Sequence, residues 1–122
     1  MKVTASEWYI LECLWEKEPQ TLMNIFTRLN ETQGWAKSTC ATMLKRMEEK
    51  KLIHHEEEGR TKYFYADAKR DEVAQKETKS FLNRIYNGSV SMMMSALVDK
   101  NELSSEDISE LEQILGKLKK GI

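Results

Sequence analysis

Trp35 to Ile53 reads WAKSTCATMLKRMEEKKLI, and the way this stretch divides between two faces decides how the rest of the chain is read. Wound as a helix at about 100° per residue, it places Cys40, Met43, Leu44 and Met47 on one side. Ser38, Ala41, Thr42, Lys45 and Glu49 fall on the other, with Thr39 and Arg46 flanking. The apolar stripe is expected to bury. The opposite face combines small polar side chains with long cations, a mixture suited to a groove between phosphate rails. Serine and threonine bond a phosphate or a base edge, Ala41 lets the helix backbone come close, and Lys45 and Arg46 can neutralise phosphate or contact guanine. An ordinary amphipathic surface helix would show the same pattern, so the flanking sequence has to discriminate.

Upstream, Thr4 followed by Glu7 is a capping-box pattern that opens a helix through Glu16, with Trp8, Leu11, Leu14 and Trp15 on its buried side. Pro19 ends it and Thr21 caps the next, where Leu22, Ile25, Phe26 and Leu29 follow the i, i+3, i+4, i+7 spacing of a core stripe. Asn30 to Gly34 reads as a turn, and Trp35 enters the third helix. Three short helices, the third polar on its outer face, make a helix-turn-helix arrangement. Downstream, Leu52-Ile53-His54-His55 suits a strand, Glu56 to Arg60 reverses the chain, and Thr61-Lys62-Tyr63-Phe64-Tyr65 returns as a β-branched and aromatic strand. Two strands do not stand alone in water. Attached to three helices they form a hairpin wing, with Arg60 and Lys62 near its tip. The expected fold is therefore mainly α with a small β-hairpin: a winged helix over residues 1–68, followed by a helical region over 69–122.

That second region is helical from about Asp71. Phe81 and Ile85 share a face, with Leu82 and Tyr86 beside it, before Asn87-Gly88 breaks the helix. Ser89 can cap a second helix carrying Val90, Met93, Met94, Leu97 and Val98. Ser104 with Asp107 opens a last one, whose Ile108, Leu111, Leu115 and Leu118 are spaced as the seam of a helix packing on another helix. Short helices with such seams have little to close on within one chain, and two copies packed together would bury them. Homodimerisation through Phe81, Leu82, Ile85, Tyr86, Met93, Leu97, Ile108, Leu111, Leu115 and Leu118 is the expectation, against an intramolecular helical cap.

Composition narrows the classes. The 122 residues are 40 % hydrophobic and 32 % charged, with one proline and five glycines, which describes a globular chain without long linkers. No apolar run reaches the roughly 20 residues of a membrane span and no secretory h-region opens the chain, so the cytoplasm is the expected location and no membrane partner is expected. Cys13 and Cys40 form no CxxC and read as reduced core thiols. Adjacent His54 and His55 point to opposite faces of a strand, a poor metal pair, and no metal or cofactor is expected. No catalytic constellation is visible, so an enzyme is not expected. Net charge is only −1. Yet Lys37, Lys45, Arg46, Lys50 and Lys51 stand against Glu48 and Glu49 alone, a local +3. Counterion release depends on the charges that meet phosphate, not on the total.

The chain resembles the BlaI/MecI/CopY family of bacterial repressors over essentially its whole length. The resemblance is carried by Ala5-Ser6-Glu7-Trp8 and Trp15, by Trp35-Ala36-Lys37-Ser38-Thr39, and by Thr42-Met43-Leu44-Lys45-Arg46-Met47. Gly59-Arg60 with Tyr63 and Tyr65, then Lys79-Ser80-Phe81-Leu82 and Asn87-Gly88, continue it. It implies a winged-helix homodimer on a palindromic double-stranded DNA operator, with the third helix in the major groove. By position Lys37, Ser38, Thr39, Thr42 and Arg46 are the matching helix residues and Arg60 the matching wing residue. Together with Ala41, Lys45 and Lys62 these form the expected DNA-binding set. Ala41 stands where several relatives carry a longer polar side chain, so operator preference does not transfer. Copper-responsive members carry a C-terminal cysteine cluster that is missing after Leu118. β-Lactam-responsive members are cleaved by a regulatory protease at a bond that corresponds by position to Ser95-Ala96. The expected function is a repressor of the penicillinase type released by proteolysis. A metal-responsive repressor, or a winged-helix protein adaptor without DNA affinity, is the alternative.

Overall fold

A computed structural model describes residues 2–100 and 102–121. The order is α1 (Ala5–Glu16), α2 (Leu22–Gln33), α3 (Lys37–Glu49), β1 (Ile53–Glu58), β2 (Thr61–Ala66), α4 (Arg70–Tyr86), α5 (Val90–Asp99) and α6 (Ser105–Gly121). The chain forms two compact units, residues 1–77 and 78–122, and α4 runs from the first into the second.

The first unit is a winged helix. Thr4 and Glu7 form the capping box that starts α1, and Thr21 with Asn24 forms a second at α2. Each supplies side-chain acceptors to backbone N–H groups that the first helical turn leaves unpaired. Isoleucine, leucine and methionine from the three helices close one core. Ile10, Leu11 and Leu14 of α1 meet Ile25 and Leu29 of α2, and Cys40, Met43, Leu44 and Met47 of α3 complete it. Leu22, Phe26, Trp8 and Trp15 pack partly buried around this centre. The segment Asn30 to Gly34, expected as a turn, is helical through Gln33. Gly34 alone turns the chain, at φ +71, with its N–H bonded to Asn30 O. Trp35 and Ala36 precede α3 and do not open it, because Ala36 is the extended N-cap.

β1 and β2 pair antiparallel from Ile53↔Ala66 to Glu58↔Thr61, so the hairpin loop is only Gly59-Arg60. The three glutamates expected in the turn belong to β1. Gly59 takes φ +66 at the first loop position, which lets a two-residue loop reverse the chain with the strand twist intact. The wing does not stand free. Gln20 pairs through its backbone with Phe64, whose ring is buried in the core. The Gln20 amide also donates to Cys13 O and Lys17 O, satisfying the end of α1. At the hairpin base Leu52 O accepts from Asp67 N and Ala68 N. Trp15 Nε1 donates to Ala68 O at 2.8 Å, and the Arg70 guanidinium lies 5.6 Å and 5.8 Å from the Trp8 and Trp15 rings.

Glu7, read from sequence only as a capping residue, is also the one buried charge among the described residues, at 1 % exposure. Lys50 Nζ donates to its two carboxylate oxygens at 2.7 Å and 3.0 Å and to Lys2 O at 2.9 Å. Lys50 is thereby removed from the local positive surface to which the sequence assigned it. Burial pushes the Glu7 carboxyl up, but hydrogen bonds from Lys50 and from Thr4 N–H, with the Lys50 charge, outweigh it and hold the group below its ordinary value.

In the second unit, Asn87 at φ 51 and Gly88 at φ 82 end α4. Ser89 caps α5 by accepting from Met92 N, and Ser104 and Asp107 exchange reciprocal bonds ahead of α6. Neither α5 nor α6 contains a buried residue. No helix of the described residues is long and apolar enough to cross a membrane.

Two outcomes are expected. Glu7→Gln leaves Lys50 without its buried partner and should cost about 3 kcal/mol at neutral pH, toward the low end for a broken buried pair because Lys50 reaches water. Since folding depresses the Glu7 value, the wild-type advantage is complete above about pH 4.5 and shrinks as pH falls below it, which denaturant titrations at several pH values measure. Gly59→Ala finds no atom within 4 Å of its new Cβ, so only the left-handed backbone opposes it. A loss of about 1 kcal/mol in the same titrations is expected, and an unchanged midpoint would contradict this turn geometry.

Candidate nucleic-acid interface

Amphipathicity turns α3 so that Cys40, Met43, Leu44 and Met47 are buried while Lys37, Ser38, Thr39, Ala41, Thr42, Lys45 and Arg46 are all exposed. The expected outward face is therefore continuous. Its N-terminus has no side-chain cap, which leaves first-turn N–H groups and the positive end of the helix dipole beside Lys37, Ser38 and Thr39. Among the described residues, Lys37, Lys45, Arg46, Arg60 and Lys62 enter no ion pair, so their charge is open to solvent.

Two depressions shape this surface. One of about 310 Å³ lies on α3 between Ser38, Thr39, Thr42, Met43 and Arg46. The other, about 670 Å³, runs between α3, the wing and the first turn of α2. Ala41, Lys45 and Glu48 form its α3 wall, Arg60, Thr61 and Lys62 its wing wall, and Thr21, Leu22 and Met23 its α2 wall. The structure thus brings Ala41, Lys45, Arg60 and Lys62 to one groove and Ser38, Thr39, Thr42 and Arg46 to the adjoining one. Lys37 borders neither. The sequence-based set leaves out Thr21 and Met23, and Glu48 enters it only as an anion set against the local cations. Thr21 was explained by its capping role, and only the approach of α2 to the wing through the Gln20–Phe64 bridge brings it in.

The histidines lie on opposite faces of β1. His54 Nδ1 is 2.6 Å from Asp67 Oδ1 and its ring stacks on Tyr65 at 5.1 Å. His55 Nδ1 is 2.6 Å from Glu48 Oε2, tying wing to α3, and Nε2 is 3.7 Å from Glu57 Oε1. No group of three His, Cys, Asp or Glu among the described residues is placed to hold a metal ion. Both cysteines are buried, and burial pushes their thiols up, away from the reactive thiolate.

The residues assigned to dimerisation divide by exposure. Phe81, Ile85, Ile108, Leu115 and Leu118 are exposed, Leu118 to 60 %, while Leu82, Tyr86, Met93, Leu97 and Leu111 are half-buried. Ile114, absent from the sequence expectation, is 55 % exposed one position before Leu115 and widens that stripe. Ser95 is exposed and Ala96 half-buried, both within helical α5.

Comparison with known proteins agrees with this architecture. The methicillin resistance regulatory protein MecI of Staphylococcus aureus strain N315 is 25 % identical over 116 residues, covering 95 % of this chain and 94 % of that protein. A penicillinase repressor of Bacillus licheniformis is 29 % identical over 114 residues, covering 93 % and 89 %. The solution structure of the DNA binding domain of the repressor BlaI superposes with a TM-score of 0.53 at 22 % identity, over 59 % of this chain and 93 % of that domain, a likeness of fold. The matching family is one of repressors, and the fold is shared with that DNA binding domain. With the penicillinase repressor profile matching residues 3–117, the chain belongs to the penicillinase repressor family.

Proposed function

We propose that this protein is a homodimeric repressor that binds a palindromic DNA operator through α3 and the wing. The observation that carries the reading is the outer face of α3, where hydroxyls, a small residue and unpaired cations lie side by side and run into the cationic groove below Arg60 and Lys62. A helix of this kind fits the major groove, where Thr42, Ser38 and Arg46 reach base edges. Lys37, Thr39, Lys45, Arg60 and Lys62 then meet backbone phosphate, and Ala41 sets the closeness of approach. Residues 1–68 serve DNA and residues 69–122 serve dimerisation.

The unburied surface of the second unit supports a second copy. Phe81, Ile85, Ile108, Leu115 and Leu118 leave large apolar area in water. Burying the half of each side chain that is still exposed contributes roughly 1 kcal/mol, and two-fold symmetry counts it twice. Release follows from losing that association. A regulatory protease cutting near Ser95-Ala96 would detach α6 and its leucine seam, and operator affinity would fall with the lost two-site avidity. Ser89 to Val98, with consecutive Met92, Met93 and Met94, is the weakly specified helix in which such opening is easiest. The relatives' names favour a β-lactam-linked signal over a metal.

Selection of bound fragments from random duplex DNA tests the function directly: a recovered palindrome is expected, and failure to enrich any sequence counts against a specific repressor. Within that operator, Thr42→Ala and Ser38→Ala should change the preferred sequence. Arg60→Ala and Lys62→Ala should instead weaken binding to every sequence and lower the salt slope by about one per lost phosphate contact per subunit. Uniform losses for all four would leave only a non-specific binder. In sedimentation, Leu115→Asp and a chain truncated after Ser95 should run as monomers with reduced operator affinity. Dimers of undiminished affinity would remove both the interface and the release mechanism.

A further inference from the structure

The groove between α3 and the wing contains one carboxylate among its cations. Glu48 lines the same groove as Lys45, Arg60 and Lys62. A phosphate entering the groove is attracted by three charges and repelled by the fourth. His55 contacts Glu48 and is not itself part of the groove lining. The 2.6 Å approach of His55 Nδ1 to Glu48 Oε2 requires the proton on Nδ1, so Nε2 is the nitrogen that gains or loses one. Glu57 Oε1, 3.7 Å away, faces it.

The surroundings of His55 make this pair specific to the groove. α3 contributes Glu48, whose neighbour in the groove lining is Lys45. β1 itself contributes Glu57. β2 contributes Lys62, in register opposite Glu57, and the Phe64 ring, 5.6 Å from the imidazole. Arg60 and the uncharged Thr21, Leu22 and Met23 line the groove that Glu48 enters and are not in contact with the imidazole. His54, on the other face of β1, is held by Asp67 and points away.

We propose that the Glu48–His55 pair is a proton-operated control on phosphate binding in the α3–wing groove. With His55 protonated, its charge cancels that of Glu48 and the three cations act undiminished. With His55 neutral, the Glu48 carboxylate opposes the DNA backbone. DNA binding therefore takes up protons, and affinity falls as pH rises. The inference rests on the reading of α3 and the wing as a DNA surface, and adds a regulator to it.

The experiment is fluorescence anisotropy of a labelled mixed-sequence duplex with the full chain, at constant low ionic strength, between about pH 5 and 8, where histidines change charge. A unit charge about 6 Å from a phosphate through water changes affinity about threefold per groove, and about tenfold where two subunits engage one duplex. Wild type should weaken by that factor across the range. His55→Gln should bind with little pH dependence at the weaker, high-pH level, whereas His54→Gln should keep the wild-type slope. Glu48→Gln, nearly isosteric, should bind about threefold tighter per groove at the high end, and it decides the matter even if His55→Gln folds poorly. A wild-type slope in His55→Gln, or unchanged high-pH affinity in Glu48→Gln, overturns the inference while leaving DNA binding intact. Absence of binding by wild type at every pH overturns the DNA reading itself.

Discussion

A carboxylate at 1 % exposure cannot be hydrated, and the way Glu7 is compensated sets the geometry on which the interface depends. An unpaired buried charge costs several kcal/mol, so the fold must bring a cation and further donors to it. Thr4 N–H supplies one donor from the start of α1, and Lys50, at the C-cap of α3, supplies the countercharge. The N-terminus of one helix is thus pinned to the C-terminus of another by a directional contact, which apolar packing alone does not provide. Apolar stripes tolerate sliding and small rotations, whereas a two-oxygen contact with Lys50 does not. Fixing the end of α3 in this way keeps Ser38, Thr42 and Arg46 facing outward along its length.

The same junction launches the wing. Immediately after Lys50 the chain turns through Lys51 at φ 64, with Leu52 N bonded back to Met47 O, and Ile53 enters β1. A two-stranded hairpin has little stability of its own. Here Phe64 buries into the helical core, Gln20 pairs with its backbone, and Leu52 O gathers the returning strand. Because both ends of the hairpin are tied to the helices, the Gly59-Arg60 tip is held at a defined place beside α3, and cations on two different elements act on one groove.

Much of this was legible in the sequence. The two faces of α3, the Thr4–Glu7 capping box, the Thr21 cap and the hairpin come from local periodicity and turn chemistry, which act within a few residues; the return bond of Asn24 at α2 was not read there. What escaped depends on contacts between distant positions. Nothing local distinguishes Glu7 as a buried ion-pair partner from Glu7 as an exposed capping residue, nor Lys50 from its neighbour Lys51. Glu48 reads as one of two anions set against the local cations until β1 brings His55 against it. Thr21 and Met23 reach the interface only because α2 packs beside the wing. The strand boundary was missed for a different reason: Glu56 to Glu58 are poor strand formers in isolation, and their pairing with Thr61, Lys62 and Tyr63 overrides that preference.

The second unit poses the opposite problem, since its helices are clear in the sequence while their stability is not explained by one chain. α5 has ten residues, below the length at which an isolated helix persists in water, and its Ser89 cap offsets only part of that deficit. α6 is longer, yet Ile108, Ile114, Leu115 and Leu118 all remain exposed. Helices of this composition gain their order from burial of an apolar face, not from propensity. If a second copy covers this surface, as proposed, association and folding become one equilibrium. Concentration, cleavage or a single charged substitution in the seam would then act on DNA affinity without touching α3.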